Sequence, residues 1–307
     1  MPSLFVWLLK RCAFALLALF ILLTLTFFLL RLAPGGPFDV ERSLPPEQMV
    51  ALQQRFALDQ PLAQQYLSYL GDLAQGDLGP SFGYPDFAVS TLIMQALPVS
   101  LSLGGWAFAL AFLGGLGIGI LAARGRLLGR ILDQLATLLL AVPNFVLAPL
   151  LVLLFALTLR WLPAGGWDGP FSRSVILPAL ALALPVMASI AVLMRASLAE
   201  VLKSEPSQLQ RAFGLSYFAE LRGGALKLAV LPVVAYAGAA LAQLLTGSLV
   251  VEQVFGLPGL GRYFVLGALN RDYTLLLGVV LLFGALILLL QLLTDVLLMW
   301  LDPRIRP

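Results

Sequence analysis

Six stretches of this chain carry no charged side chain, and each is long enough to cross a lipid bilayer. They lie between Arg11 and Arg31, Asp86 and Arg124, Asp133 and Arg160, Arg173 and Arg195, Lys227 and Glu252, and Asp272 and Asp295. Roughly 20 apolar residues suffice to span ~30 Å of hydrocarbon. Within that layer a helix satisfies all its own backbone N–H and C=O groups, which an isolated strand cannot do. With 60% hydrophobic and 11% charged residues among 307, the expected fold is an all-α integral membrane protein of six transmembrane helices.

Lys10 and Arg11 ahead of the first stretch resemble the start of a signal peptide. The apolar segment is too long for one, and no small-x-small cleavage site precedes the Pro34-Gly35-Gly36-Pro37 turn, so residues 1–32 read as an uncleaved anchor helix. Residues 33–97 form an insertion, 98–301 a five-helix core containing a charged loop at 195–228, and 302–307 a tail. Orientation follows from the basic residues. With the N-terminus inside, Lys10, Arg11, Arg124, Arg126, Arg130, Arg195, Lys203, Arg211, Arg222, Lys227, Arg304 and Arg306 are cytoplasmic; Arg31, Arg42, Arg55, Arg160, Arg173, Arg262 and Arg271 are outside. That excess places both termini in the cytoplasm and the 33–97 insertion outside. The insertion carries Asp39, Glu41, Glu47, Asp59, Asp72, Asp77 and Asp86 against two arginines. "LPPEQMVALQQRF" reads as a short helix with Met49, Leu52 and Phe56 on one face, and "GDLAQGDLGPSFGYPDF" as irregular chain. A small cap on the membrane domain and a docking surface for an external protein both fit this composition.

The residue inventory excludes much chemistry. There is no histidine and one cysteine, Cys12, which removes histidine bases, metal sites built from His or several Cys, and internal disulfides. No catalytic residue and no metal site is expected. Of the acids, Asp295 alone falls inside a span, near its cytoplasmic end, where a structural partner such as an arginine or a backbone group accounts for it. No Gly-Lys-Ser/Thr phosphate loop exists, so any ATP-derived energy comes from another chain. A net charge of +3 gives no reason to expect nucleic-acid binding. A self-contained, ion-coupled secondary transporter remains the alternative, although five of the spans are free of charge and Pro143, Pro149, Pro178 and Pro185 read as helix bends.

Between spans four and five the chain turns polar. Arg195, Glu200, Lys203, Glu205, Arg211, Glu220, Arg222 and Lys227 are gathered there. Pro206 suits a helix start and Gly214 a left-handed stop, so 207–213 makes about two turns before a return helix at 217–228. A solvated loop and a short helix seated in a groove of a soluble partner both fit this pattern.

"QRAFGLSYFAELRGGALKLAVLPVV" is similar to the EAA loop of ABC importer permeases, with Arg211, Ala212, Gly214, Leu215, Leu231 and Pro232 at matching positions. Gln210 stands where alanine is usual, and Phe213 where lysine is usual. The resemblance covers nearly the whole chain through "RLAPGGPF", "ALDQPLAQQYLSYL", "GDLGPSF", "LPVS", "LPAGGW", "VVEQVFGLPGLG", "LNRDY" and "LDPRIR". It narrows to the first, B-type permease of dipeptide and oligopeptide importers, in the bacterial cytoplasmic membrane. It implies a second homologous permease, two cytoplasmic ATPases that bind ATP and Mg, an extracytoplasmic binding protein and a peptide substrate. This chain itself is then expected to hold no cofactor and to perform no hydrolysis. Nickel chelates, haem and antimicrobial peptides are alternative cargoes among similar systems.

The resemblance marks Gln210, Arg211, Ala212, Phe213, Gly214 and Leu215 as the ATPase-coupling helix and corner. Phe213 is expected to enter an apolar pocket of the ATPase, with Arg211 beside it. In "VEQVFGLPGLGRYFVLGALNRDY", Gly256, Pro258, Gly259 and Gly261 disrupt regular structure outside span five. With Glu252, Arg271 and Asp272 these residues form an expected outer gate or docking loop pinned by salt bridges.

Overall fold

The computed structural model describes residues 4–32, 58–84 and 86–301; the short helix expected at 44–56 and the 302–307 tail lie outside these residues. All regular structure among them is helical, apart from an isolated antiparallel bridge between Pro80 and Ala88. Five helices are long and apolar enough to cross a membrane. They are α1 (Leu4–Leu32), α3 (Val89–Ala123), α6 (Ile176–Val201, led in by a 3₁₀ turn at Arg173–Val175), α10 (Leu231–Phe255) and α12 (Tyr273–Leu301). Between α1 and α3 lies α2 (Leu62–Ala74). Helix α3 begins before the boundary at 98, and Pro98 lies inside it.

The third expected span is not straight. Helix α4 (Arg126–Ala141) and the run formed by α5 (Asn144–Leu151) and a π-helical continuation (Val152–Thr158) meet at 102°. The cause is local. Val142 is extended, with φ −92° and ψ 117°, because the ring of Pro143 disfavours helical geometry in the preceding residue. A charge-free interval registers apolar length but not this change of direction.

The core is centred on α6, about two-thirds buried, whereas α1 is 11% buried. Against α6 lies the glycine face of α3. A Cβ at Gly115 would stand 2.9 Å from the Met187 carbonyl oxygen, and one at Gly119 2.7 Å from that of Ala191. Small residues four apart let two helices approach at backbone distance, which in a bilayer replaces the missing hydrophobic drive with close van der Waals contact. The Arg195 Nη2 on α6 reaches both Asp133 oxygens on α4, at 2.6 and 2.8 Å. Gly129 provides the space for that guanidinium.

Helix α1 leans on α12, where Gly284 accommodates Leu19 and Leu22. Arg11 bonds Asp295 at 2.8 Å, the structural arginine partner expected for the acid in the sixth span. At the opposite end of α1, Phe27 packs edge-on to Tyr66 of α2 and beside Tyr69, and Thr24 shares a 2.7 Å hydrogen bond with the Tyr66 hydroxyl.

Candidate coupling corner and outer loop

The segment between α6 and α10 folds into a rigid corner. Helix α7 (Glu205–Ala212) starts after Ser204, with Pro206 in its first turn, where a missing N–H costs nothing. It stops at Gly214, whose φ is +78°. The Gly214 N–H donates to the Arg211 carbonyl and the Leu215 N–H to that of Gln210, at 2.9 and 3.2 Å. This is the paired-bond helix stop that requires a left-handed residue.

The return path begins as α8 (Tyr217–Glu220), but it is not the single helix expected at 217–228. A π-helical turn (Leu221–Ala225) intervenes before the short α9 (Leu226–Ala229), and within it Gly224 has φ +119°. Side chains without a strong reason to be there avoid that region, so Gly223-Gly224 provides the hinge. Gln210 lies against it: its amide is 3.1 Å from where a Gly223 Cβ would be, and its Nε2 is 3.5 Å from the Gly223 carbonyl oxygen.

Three contacts brace the corner. Arg211 Nε donates to both Glu220 oxygens at 3.1 Å, and Nη2 to the Leu202 carbonyl at 3.1 Å. The Tyr217 hydroxyl donates to the Ile120 carbonyl near the end of α3 at 2.8 Å. Glu220 is 1% exposed. Burial works against its charge, but hydrogen bonds from Arg211 and Ser207, with the Arg211 charge, outweigh this and hold the carboxyl below its usual range. Burial pushes the Tyr217 hydroxyl up, with the Arg124 charge opposing. On this braced frame Phe213 (77% exposed), Leu209 (59%), Phe218 and Leu215 present apolar surface.

The second group of expected residues closes the other end of α10. Gly256, with φ +65°, ends α10 by the same paired-bond stop: its N–H donates to Gln253 and that of Leu257 to Glu252, at 3.3 and 2.8 Å. Pro258 is exposed, and Gly259 precedes α11 (Leu260–Leu269). Gly261, expected to interrupt regular structure, instead lies in the first turn of this helix, where close packing rather than chain breaking calls for glycine. The first N–H groups of α11 have no helical partners. Leu260 donates its own to Ser100 Oγ at 2.8 Å, and Gly261 donates to Glu252 Oε2 at 2.7 Å.

Glu252 is fully buried, and its carboxylate sits so close that a Cβ on Gly259 would overlap it. A Cβ on Gly261 would stand 2.5 Å from the Leu249 carbonyl oxygen. These two glycines are therefore determined by close approach, and Gly256 by its φ. Glu252 accepts from backbone and hydroxyl groups where a salt bridge was expected.

Asp272 is used in the same way. Its carboxylate accepts from the Ser81 hydroxyl, from Gly83 N–H at 2.9 Å and from Leu275 N–H at 3.0 Å. It thus caps α12 and fastens the 81–84 loop to it. Arg271 precedes it with φ +53°.

The structure gathers the expected residues into these two places, one at each end of α10. Sequence reasoning missed Glu220, Tyr217, Ser100 and Ser81. A buried acid after a glycine corner has no fixed spacing to its arginine, and single serines carry no pattern.

Comparisons with known proteins align with this architecture. The family described as "Binding-protein-dependent transport system inner membrane component" matches residues 115–307, and its N-terminal counterpart matches residues 4–104. The chain is 46% identical over 302 residues to the oligopeptide transport system permease protein OppB of Escherichia coli (strain K12), covering 98% of this chain and 99% of that protein. It is 47% identical over 299 residues to OppB of Haemophilus influenzae, covering 97% and 98%. To the dipeptide transport system permease protein DppB of Bacillus subtilis (strain 168) it is 36% identical over 302 residues, covering 98% and 97%.

Proposed function

The chain belongs to the binding-protein-dependent transport system inner membrane component family, and from that premise we propose that it is one permease half of an ATP-driven importer of short peptides. In this reading a second, homologous permease completes the passage, and an extracytoplasmic binding protein delivers the peptide. Two ATPase subunits hold ATP and Mg on the cytoplasmic side. The peptide cargo rests on the kinship with peptide permeases.

The observation that carries the coupling role is the exposed apolar group Leu209, Phe213, Leu215 and Phe218 on a segment otherwise rich in charge. Exposed aromatic and aliphatic anchors on a polar rim mark protein contacts. The frame beneath them is stiff enough to pass on motion: α7 is joined to α6 by the short hydrogen-bonded turn Leu202–Ser204, and Tyr217 ties the corner to α3. An ATPase gripping Phe213 would therefore move α3, α6 and α10 together. Arg211 serves that grip from behind, holding Glu220 and the Leu202 carbonyl. The glycine-rich turn at 256–259 and the first residues of α11, clamped by Glu252, form the outer gate or docking surface.

The test is ATP hydrolysis in the assembled complex, with and without peptide-loaded binding protein. Phe213→Asp places a charge in an apolar contact, at a cost of roughly 1–3 kcal/mol. It is expected to abolish ATPase association or stimulated turnover while the two permeases still pair. Normal stimulation in this variant would falsify the coupling assignment. Peptide transport by the purified chain alone, driven by an ion gradient, would overturn the importer reading.

A further inference from the structure

The exposed surfaces of the spanning helices are not alike. On α1 the outward side chains include Phe14, Leu17 and Leu25, and on α12 Leu289, Leu293 and Val296, as a hydrocarbon-facing surface requires. Helix α10 is different. One continuous face of it exposes Ala235, Ala239, Gln243 and Thr246 over its first half and centre, with Val250 and Val254 continuing that face toward its end, spaced at helical period.

Gln243 lies at the midpoint of the Leu231–Phe255 helix, the deepest level of the bilayer. Its amide takes a 3.4 Å hydrogen bond from the Tyr236 hydroxyl, and the other end of the amide has no partner among the described residues. A half-satisfied amide facing lipid tails at that depth is strongly disfavoured.

A second amide lies close by. The bend at Val142-Pro143 brings Asn144 to α10, its Nδ2 3.3 Å from where a Gly247 Cβ would be, one turn from Gln243. Two different elements thus place uncharged amides within one turn of each other along the middle of α10.

We infer that this face of α10, with Gln243 and Asn144 as its polar contacts, is the chain's wall of the translocation passage and takes the main chain of the peptide cargo. The inference rests on the importer reading: a route shared by two permeases leaves each chain's share of the wall exposed in the single subunit. Small side chains leave the passage wide. An amide donates to and accepts from any peptide bond, whatever side chains the peptide carries. The absence of charge on this face avoids holding one end of the cargo too tightly to release it.

The experiment uses the complete complex reconstituted in proteoliposomes, with a tripeptide and its binding protein. Gln243→Leu and Asn144→Leu are expected to lower ATP-driven uptake about tenfold each, the size of one lost hydrogen bond. Hydrolysis stimulated by loaded binding protein should remain near normal, and Gln243→Asn should recover part of the uptake.

In a Cys12→Ala background, Gln243→Cys should react with a small water-soluble methanethiosulfonate, more slowly when tripeptide is present, whereas Leu17→Cys on α1 should not. Unchanged uptake, or uptake and stimulated hydrolysis falling together, overturns the inference. So does a Gln243→Cys that is inert to the reagent and cross-links only to the second permease. No stimulation in the unsubstituted complex overturns the importer reading itself, which is a distinguishable failure.

Discussion

Arg211 and Glu220 are held together across a glycine corner, the guanidinium Nε 3.1 Å from each carboxylate oxygen, with the acid buried and the base half-exposed. The pair gives the corner a fixed shape, and its effect is expected to depend on pH. Because the folded carboxyl is held below its ordinary value of 4.5, the stabilisation is complete above that value. It declines as pH falls through the folded value. Arg211→Ala should cost about 1–3 kcal/mol of local stability at neutral pH, since it leaves a buried carboxylate without its charged partner. Hydrogen exchange of the 217–225 amides measures this. Faster exchange in the variant at pH 7, converging with the parent in acid below pH 4.5, is the expected result.

Gly214 and Gly259 should respond differently to alanine. At Gly214 a Cβ meets nothing within 4 Å, and only the φ of +78° opposes it. Gly214→Ala should therefore cost about 1 kcal/mol and Gly214→Val more, because a β-branched residue tolerates that region least. Gly259→Ala drives a methyl into the Glu252 carboxylate and Ser100, a buried polar cluster with no room to yield. Thermal unfolding in detergent should show Gly259→Ala as clearly the more damaging. Equal effects would contradict the distinction between strain and clash.

The α3–α6 contact should not tolerate bulk. Gly119→Ile places side-chain atoms against the Ala191 carbonyl and the Met194 side chain. The backbone there cannot move without parting the central helix from its main neighbour. Overpacking of this kind costs about 1–3 kcal/mol or more, and reduced yield of folded protein by size-exclusion chromatography is the readout. Gly117→Ala, whose Cβ meets nothing within 4 Å, is the matched control and should behave as the parent.

Orientation can be tested with single cysteines in a Cys12→Ala background. Ser81 is buried against Asp272, so a cysteine there is a poor reporter. Gln75 and Gln208 are exposed. Gln75→Cys should react with an impermeant thiol reagent on intact cells, and Gln208→Cys only after permeabilisation. Labelling of Gln208→Cys on intact cells would reverse the topology and remove the ATPase from the 205–220 corner.

Much of this protein was legible from one-dimensional pattern alone. Charge-free length determines that a segment enters the bilayer, because the cost of a buried charge depends on composition and not on neighbours. The stop at Gly214 was equally local, since a left-handed residue is a property of one position in the chain. Tertiary structure decided what depends on two distant segments meeting. The bend at Pro143 was legible as local proline chemistry, but its 102° size and the meeting of Asn144 with Gly247 were not. Tertiary structure split the return helix at Gly224 and set Glu220 against Arg211. It also gave Glu252 and Asp272 backbone N–H groups as partners instead of arginines, because the helix starts at Leu260 and Tyr273 lay within reach. A sequence records which groups need partners; only the packed fold decides which partners are near enough to serve.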